Sequence, residues 1–259
     1  MSVAPARPTD SAPGLRGFLF LEAVVRLFLW NSSFALTIAI LTAVRAWPHQ
    51  ALVGADLDVA VQWSGLLARF LIVYNFVYLG ELLVFRALLP TPREGTYALV
   101  PGQRPDRRML AMALLGVLVK AKGQPPFPAF LLFHVANLPP MCWLVARVFG
   151  PRSQSVLVLD PPMPDPHLTE IGRNVVVGNM TSIIAHTQYR DHFELRKTVI
   201  EDNVMIGAHA LIYSGCTIRR GAVVYGGAVV PPNTVVGENE AWGGVPARKI
   251  KDLPSATPG

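Results

Sequence analysis

One stretch decides how this chain folds: residues 171–241, which read IGRNVVVGNMTSIIAHTQYRDHFELRKTVIEDNVMIGAHALIYSGCTIRRGAVVYGGAVVPPNTVVGENEA. Aliphatic residues recur there at every sixth position, with a single gap. Such a period fits neither the 3.6 residues of an α-helix nor the two of a long β-strand. It predicts short strands and tight turns that wind into a solenoid around an aliphatic ladder. The ladder comprises Ile171, Val177, Ile183, Ile200, Ile206, Ile212, Ile218, Val224, Val230 and Val236.

The gap in the ladder lies between Ile183 and Ile200, which are 17 residues apart instead of six. The added stretch, roughly residues 188–198, is polar and charged, and we expect it to be a loop. A loop can leave a solenoid at little cost while the neighbouring coils still stack. His186 precedes the loop and His192 lies inside it, so chemistry is expected here.

The repeats resemble the left-handed parallel β-helix of hexapeptide acyltransferases, over about 80 of the 259 residues. The closing segment 244–250 (GVPARKI) is similar to the G-x-P-A-[KR]-x-[IV] segment that ends that solenoid in many acetyltransferases. Residues 206–211 and 230–235 match turns common in the family. The resemblance implies transfer of an acyl group from acyl-CoA, most simply acetyl, and a homotrimer whose active sites lie between neighbouring subunits.

The composition indicates membrane segments upstream of the solenoid. Hydrophobic residues make up 51% of the chain and charged residues 15%, whereas soluble domains carry about 25% charged residues. Residues 18–44 and 63–89 are each long enough to cross a bilayer. A cleaved signal peptide is the competing interpretation of the first, but that stretch is longer than a signal peptide's apolar core. We expect a two-helix transmembrane hairpin in which Glu81 pairs with a structural partner such as Arg69 or Arg26.

The basic residues indicate the topology of this hairpin. They accumulate before the first span and after the second, which places both termini and the solenoid in the cytoplasm, at the inner membrane. The formal charge of +6 and the pI of about 9.6 then favour anionic lipid headgroups as partners, because no nucleic-acid motif is visible. Residues 109–120 are predicted to form an interfacial helix, and residues 130–149 a bent interfacial helix rather than a third span.

The predicted fold class is therefore mixed, with a helical membrane hairpin and interfacial helices followed by an all-β left-handed parallel β-helix. Its divisions are a flexible tail (1–17), the hairpin (18–89), an interfacial helical linker (90–150), a linker and solenoid entry (151–170) with an opening strand at 156–159, the β-helix (171–250) and a tail (251–259).

The upstream order of elements carries a second resemblance. This order is similar to the terminal region of some nonribosomal peptide synthetases, including polylysine synthetases. It consists of a membrane hairpin, then Gly95 and Tyr97, two interfacial segments, Arg147 near the closing Phe149 and Gly150, and finally a hexapeptide solenoid. In that family the module belongs to a much larger protein, so the partner reaction cannot be carried over.

Acyl transfer from a thioester needs a base for the acceptor and stabilisation of the tetrahedral oxyanion. Histidine suits the base role. His186 matches the position of the base in the hexapeptide family, with Thr181 and Asp191 as loose counterparts of the family's threonine and carboxylate. His192 is the alternative base. His209 is expected to be an exposed turn residue, and His49, His134 and His167 are expected to have no catalytic role.

The acyl-CoA site is expected to use backbone groups at solenoid turns, together with side chains that meet the phosphates or cover the thiol arm. For Trp242, a cap on the open end of the solenoid is favoured over a contact with the thiol arm, and each basic residue can equally be a solvated or lipid-facing charge. Cys142 and Cys216 imply no disulfide pairing, which fits a reducing compartment. The candidate acyl-CoA-binding residues are Ala208, Gly226, Arg219, Arg220, Trp242, Arg248 and Lys249.

Two rival functions stay open. The same solenoid hosts zinc-dependent γ-type carbonic anhydrases, and His186, His192 and His209 could supply three ligands, although the ladder places His186 and His209 on different faces. No metal site is therefore predicted. The other rival is a non-catalytic, membrane-tethered scaffold or assembly module. If the chain is an acyltransferase, a membrane anchor favours a lipid-linked or membrane-associated acceptor.

Overall fold

The computed structural model describes residues 13–44, 57–90, 92–98, 141–150, 152–153, 157–158, 165–189 and 192–254. Helix α1 (Pro13–Ala43) and helix α2 (Leu57–Leu88) come first, followed by strand β1 (Gly95–Ala98) and the short helix α3 (Met141–Ala146). The remaining elements are strands and one 3₁₀ turn (Pro166–Leu168). The predicted tail up to residue 12, the predicted interfacial helix at 109–120 and most of the segment 130–149 lie outside the described residues.

Helices α1 and α2 pack against each other through aromatic and aliphatic side chains. The rings of Phe34 and Phe70 lie 5.2 Å apart, and Leu29, Tyr74 and Tyr78 are buried in the same cluster. The hydroxyl of Ser33 donates a hydrogen bond to the carboxylate of Glu81. Ser33 of α1 is therefore one structural partner of Glu81. The pairing of Glu81 with Arg69 or Arg26 stays a prediction, and the side chain of Arg26 lies outside the described residues.

Both helices are long and apolar enough to cross a membrane, by length and composition, over Ala23–Ala43 and Leu57–Leu88. Large apolar side chains cover their outer surfaces; Phe28 is 62% exposed and Leu67 is 57% exposed. Helix α1 begins five residues before the expected boundary at residue 18, and α2 begins six residues before residue 63.

The solenoid has three faces built from parallel strands. Residues of the ladder are 0–1% exposed, and the strands stack in register from coil to coil. The first face contains β3 (Thr169–Ile171), β8 (Thr198–Ile200), β11 (Thr217–Ile218) and β14 (Val235–Val236). The second face contains β2 (Leu157–Val158), β4 (Val176–Val177), β9 (Met205–Ile206), β12 (Val223–Val224) and β15 (Glu240–Gly244). The third face contains β5 (Ser182–Ile183), β10 (Leu211–Ile212) and β13 (Val229–Val230).

The corners between faces explain why the period is six. The residue three positions after a ladder residue turns the chain with a positive φ, a conformation that glycine and asparagine adopt most readily. Backbone hydrogen bonds then join each corner to the one below it, as from Gly227 N to Ala208 O at 2.9 Å. The positive-φ corner residues are Asn174, Met180, Asn203, His209, Gly215, Gly221, Gly227, Asn233 and Asn239.

The insertion in the ladder is a β-sheet rather than a loop. Strands β6 (His186–Gln188) and β7 (His192–Leu195) form an antiparallel hairpin, and β1 pairs with the other edge of β7. The prediction of a helical linker from residue 90 is therefore wrong at residues 95–98. A strand whose partner lies about a hundred residues away leaves no local signal in the sequence.

The two ends of the solenoid are closed differently. At the start, β2 pairs in parallel with β4, so the predicted opening strand is present. At the end, β15 and β16 (Ala247–Asp252) form an antiparallel hairpin across the segment predicted to close the solenoid, with a cis Val245–Pro246 peptide. The interior ladder and the buried residues of α1, α2 and α3 belong to one continuous apolar cluster.

Corner glycines provide a test of the stacking. A Cβ at Gly207 would stand 2.8 Å from Gly226 Cα and closer still to Gly226 N, both backbone atoms of the next coil, whereas a Cβ at Gly227 would meet nothing within 4 Å. Gly207→Ala should lower the free energy of unfolding by about 1–3 kcal/mol. Gly227→Asn, which places a residue used at other corners, should change it by less than about 1 kcal/mol.

Urea unfolding of the full chain in detergent, followed by tryptophan fluorescence, measures both variants. Equal losses for Gly207→Ala and Gly227→Asn would contradict the close stacking of coils described here.

Candidate functional site

The base of the β6–β7 hairpin brings together a histidine and a buried carboxylate. Asp165 Oδ2 lies 2.6 Å from His186 Nδ1 and accepts a second hydrogen bond, at 2.8 Å, from the backbone N–H of Ala185. The side chain of Asp165 is 3% exposed, whereas that of His186 is 30% exposed. One partner of the pair is thus fixed inside the protein, and the other reaches solvent.

This arrangement fixes how the imidazole presents its nitrogens. A carboxylate is an acceptor, so Nδ1 carries the hydrogen that it accepts, and Nε2 of the neutral ring is left as an acceptor on the opposite side. In serine hydrolases a buried aspartate plays this part, holding the tautomer and stabilising the imidazolium once it forms. The His186–Asp165 pair can therefore remove a proton from a hydroxyl or an amine and return it later.

Local sequence explains the position of each partner. Asp165 directly precedes the 3₁₀ turn Pro166–Leu168, and its backbone carbonyl accepts hydrogen bonds from Leu168 N and from the Thr169 hydroxyl. His186 occupies the place where the next corner residue would stand, three positions after Ile183. There the chain starts strand β6 instead of turning, and the imidazole lies at the edge of the solenoid.

Two other residues proposed from the sequence, His192 and Thr181, make contacts elsewhere than with this pair. His192 stacks on Tyr189 with ring centroids 4.4 Å apart. Residues directly opposite each other in the hairpin share a face, so Phe193 and Leu195 lie on the face of His186, whereas His192 and Glu194 lie on the other. Asp191 lies outside the described residues. The hydroxyl of Thr181 donates to Gly207 O at 2.9 Å and secures a corner.

Asp165 is the residue of the candidate site that the sequence did not predict. It lies in a proline-rich stretch before the first ladder residue, 21 positions from His186, where no repeat or motif marks it. The only available signal was an acidic residue among prolines and apolar side chains near the entry of the solenoid. Its role emerges only when the first coil brings the entry turn beside the hairpin.

The candidate acyl-CoA residues lie at other corners. Ala208 and Gly226 are exposed at the corner between the second and third faces, and Arg219 and Arg220 are exposed between the first and second. His186 stands between the third and first. Within one chain, no proposed acyl-CoA residue of the described solenoid shares the corner of the histidine.

The remaining candidates belong to the terminal hairpin. Lys249 Nζ lies 2.8 Å from Glu240 and 2.7 Å from Asp252, and the indole N–H of Trp242 donates to Glu240 at 2.8 Å. These contacts, led by the one with Lys249, lower the pKa of Glu240 to about 2. The guanidinium of Arg248 donates to the backbone carbonyl of Ala247. Trp242 and Lys249 thus hold the end of the solenoid, and the charge of Lys249 already has two counterions.

Among the described residues, the other histidines and the cysteines do not form a second cluster. His209 is an exposed corner residue between the second and third faces, as the sequence indicated. Over the described ranges, no group of three or more His, Cys, Asp or Glu side chains is placed to hold a metal ion. Cys142 and Cys216 are free and buried, and burial raises the pKa of the Cys216 thiol to about 11.

Comparison with known proteins identifies the repeat. A family model for the bacterial transferase hexapeptide (six repeats) matches residues 197–232, from β8 through β13. YvoF of Bacillus subtilis (strain 168), which its name calls a candidate acetyltransferase, is 32% identical over 102 residues, covering 36% of this chain and 59% of YvoF. This chain therefore spans less than two thirds of that relative.

Solved structures show a partial likeness. A hexapeptide-repeat-containing acetyltransferase of Vibrio cholerae O1 biovar eltor, solved with acetyl-coenzyme A, is 19% identical with a TM-score of 0.41, over 60% of this chain and 95% of that chain. A maltose O-acetyltransferase of Clostridium difficile 630 is 20% identical with a TM-score of 0.34, over 38% and 66%. The relatives and structures named here are thus described as acetyltransferases.

A buried histidine beside the site makes stability depend on pH. His167 is 2% exposed, and burial, reinforced by the charge of Arg86, lowers its pKa from 6.5 to about 4. The unfolded chain therefore binds more protons between these two values, and stability must fall as pH falls through that window. At 1.36 kcal/mol per pKa unit, the loss is on the order of 3 kcal/mol.

The variant His167→Gln keeps a neutral polar side chain that does not titrate, so its stability should fall less steeply between pH 6.5 and 4. Denaturant unfolding in detergent at several pH values measures the two slopes. Identical slopes in wild type and variant would show that His167 is not buried in its neutral form.

Proposed function

We propose that this chain is a membrane-anchored acyltransferase that transfers an acyl group, most simply acetyl, from acyl-CoA to a hydroxyl or amine of an acceptor presented at the bilayer. The observation that carries the proposal is the hydrogen bond from His186 to the buried Asp165, at the point where a hexapeptide solenoid opens. The family match over residues 197–232 and the similarity to YvoF support the acyltransferase class. The solenoid is proposed to be left-handed, as in the hexapeptide family.

In the proposed reaction, Nε2 of His186 takes the proton of the acceptor O–H or N–H as that atom attacks the thioester carbonyl. Asp165 stabilises the resulting imidazolium through Nδ1–H, since a charge-assisted hydrogen bond is stronger than a neutral one. When the tetrahedral intermediate collapses, the C–S bond breaks. The departing CoA sulfur then receives the proton from the imidazolium, and the acyl group remains on the acceptor.

The separation of corners supports a shared site between subunits. The corner that carries Ala208 and Gly226 leaves backbone exposed, which suits a pantetheine chain, but it lies on a different edge of the solenoid from His186. A second copy that places this corner against the histidine of its neighbour would complete the site. We therefore propose a homotrimer with one acyl-CoA site at each interface, in which Arg219 and Arg220 remain candidates for the phosphates.

The membrane assignment is supported by the surface of the helix pair. Large apolar side chains face outward from both helices, including Phe20, Trp63 and Leu88, which are 73%, 51% and 75% exposed. Covering such side chains with lipid removes them from water, and each is worth about 1.5–3 kcal/mol on full burial. We propose that α1 and α2 form a hairpin across the inner membrane, with the solenoid on the cytoplasmic side, where acyl-CoA is made.

The acceptor is proposed to be a lipid-linked sugar, a glycolipid or another membrane-associated molecule, because an anchored enzyme meets such acceptors by diffusion in the plane of the bilayer. The resemblance to the terminal region of nonribosomal peptide synthetases stays a prediction. Because of this resemblance, an amine and a hydroxyl are equally open as the acceptor group.

A transfer assay tests the proposal. The full chain, purified in mild detergent, is given labelled acetyl-CoA and the lipid extract of a strain from which the gene has been deleted. His186→Ala should lower the rate of label transfer by about 10²–10⁴-fold, the usual contribution of a general base. Asp165→Asn should lower it by about 10² or more, because the amide favours the wrong tautomer of the ring.

The matched control is His192→Ala, which removes a histidine from the same hairpin on the opposite face and should leave the rate close to wild type. If His186→Ala also retains the wild-type rate, or if the wild-type chain transfers no label, the acyltransferase proposal fails. A membrane-tethered scaffold would then be favoured.

Oligomerisation is tested separately by chemical crosslinking of the full chain in mild detergent. The shared site predicts a species of three subunits as the largest discrete product. A chain that stays monomeric at every concentration would contradict the shared acyl-CoA site, because no single subunit brings the proposed corner to His186.

A further inference from the structure

Strand β1 joins the membrane helices to the hairpin that carries His186. It pairs antiparallel with β7, placing Gly95 opposite Leu195, Thr96 opposite Glu194 and Tyr97 opposite Phe193. Helix α2 ends at Leu88, so six residues separate the helix from the strand. The first chain segment to leave the helix pair is therefore part of the sheet at the candidate active site.

Two further contacts fix β1 at the base of the hairpin. The carboxylate of Glu94 accepts a hydrogen bond from the backbone N–H of Lys197 at 3.1 Å, just beyond the end of β7. The hydroxyl of Tyr97 donates to the backbone carbonyl of Arg93 at 2.7 Å, which closes the turn that enters the strand. The strand is thus held at both its start and its middle.

The side chain of Phe193 connects this strand to the imidazole. Its ring stacks on His186 with centroids 5.0 Å apart and planes inclined by 17°. On its strand, Phe193 lies directly opposite Tyr97, and both rings pack against the buried side chains of Leu168, Ala185 and Leu195. The rings of Tyr97 and Phe193 therefore belong to the apolar cluster beneath the histidine.

The hydrogen bond to Asp165 alone does not hold an imidazole in one orientation. The bond fixes one ring nitrogen, but the ring can still tilt about it, and Nε2 then moves away from the acceptor. A stacked aromatic ring removes that freedom, and stacked pairs contribute about 0.5–1.5 kcal/mol. A displacement of about 1 Å in a catalytic group can cost 10²-fold in rate.

We propose that Phe193, supported across the sheet by Tyr97, is a positioning residue that holds the imidazole of His186 at the angle needed for proton transfer, so that the strand following the membrane anchor is part of the catalytic unit. This inference rests on the proposed function. It assigns no contact with substrate to either aromatic residue, and both act through His186. The strand that follows the membrane helices thereby also helps to set the orientation of the His186 imidazole.

The first test compares substitutions of Phe193 in the transfer assay. Phe193→Ala should lower kcat by about 10–10²-fold while the KM for acetyl-CoA stays near wild type, because the loss is in the reacting geometry. Phe193→Tyr keeps the ring and should restore most of kcat. Tyr97→Ala should lower kcat in the same direction but less, since Tyr97 reaches the imidazole only through Phe193.

The matched control is Tyr189→Ala, which removes the aromatic partner of His192 from the other face of the same hairpin. It should leave kcat unchanged. If Tyr189→Ala lowers kcat as much as Phe193→Ala does, the effect belongs to the hairpin in general and the inference is overturned.

A double-mutant cycle separates positioning from a structural role. Phe193 and Asp165 are proposed to act on the same ring, so the double variant Phe193→Ala/Asp165→Asn should be little slower than Asp165→Asn alone. Two independent losses would multiply. A double variant slower by the full product of the single effects would overturn the inference, and so would wild-type kcat in Phe193→Ala.

The outcome also distinguishes this inference from the proposed function. If His186→Ala abolishes transfer and Phe193→Ala does not, the acyltransferase assignment stands and the positioning role is wrong. If neither substitution affects transfer, the proposed function itself fails. If Phe193→Ala unfolds, Phe193→Leu carries the test, because it keeps an apolar side chain in the cluster and removes only the ring that stacks on His186; wild-type kcat in a folded Phe193→Leu would overturn the inference.

Discussion

This protein is built on the repeated burial of one aliphatic side chain every six residues. Each coil alone is too small to bury its apolar face, and only stacking gives the ladder residues a continuous interior. Stacking in turn brings backbone close to backbone at corners that turn with a positive φ, which is why glycine and asparagine recur there. The site can leave the regular coil because the coils on either side remain fixed.

The insertion places the candidate base, His186, on this rigid solenoid. A corner residue that would otherwise turn the chain, His186, instead begins a strand, and the entry turn of the first coil supplies the buried Asp165. The third strand of the inserted sheet comes from the segment that follows helix α2, and the interior ladder is continuous with the apolar contacts of the helices. The helices and the solenoid therefore share one apolar cluster, and β1 joins the segment after α2 to the hairpin that carries the histidine.

Sequence alone was sufficient wherever the determining contacts repeat. The ladder, the three-sided coil, the opening strand at 157–158 and the helices over residues 18–44 and 63–89 all follow from local periodicity or composition. Features that depend on a single long-range contact were missed. No motif marks Asp165, and the partner of β1 lies about a hundred residues away in the sequence. The hairpin has the sequence of a polar loop, and its apolar residues Phe193 and Leu195 pack with Leu168 and Ala185, which lie outside the inserted stretch.

His186 is proposed to be the base at an acyl-CoA site completed by a second subunit. A cryo-electron microscopy structure of the detergent-solubilised protein with a non-hydrolysable acetyl-CoA analogue would show whether it is. We expect three subunits, with the carbonyl of the analogue within reach of Nε2 of His186 and its pantetheine along the neighbouring subunit's corner at Ala208 and Gly226. An analogue bound away from His186, or an imidazole facing no groove between subunits, would contradict it.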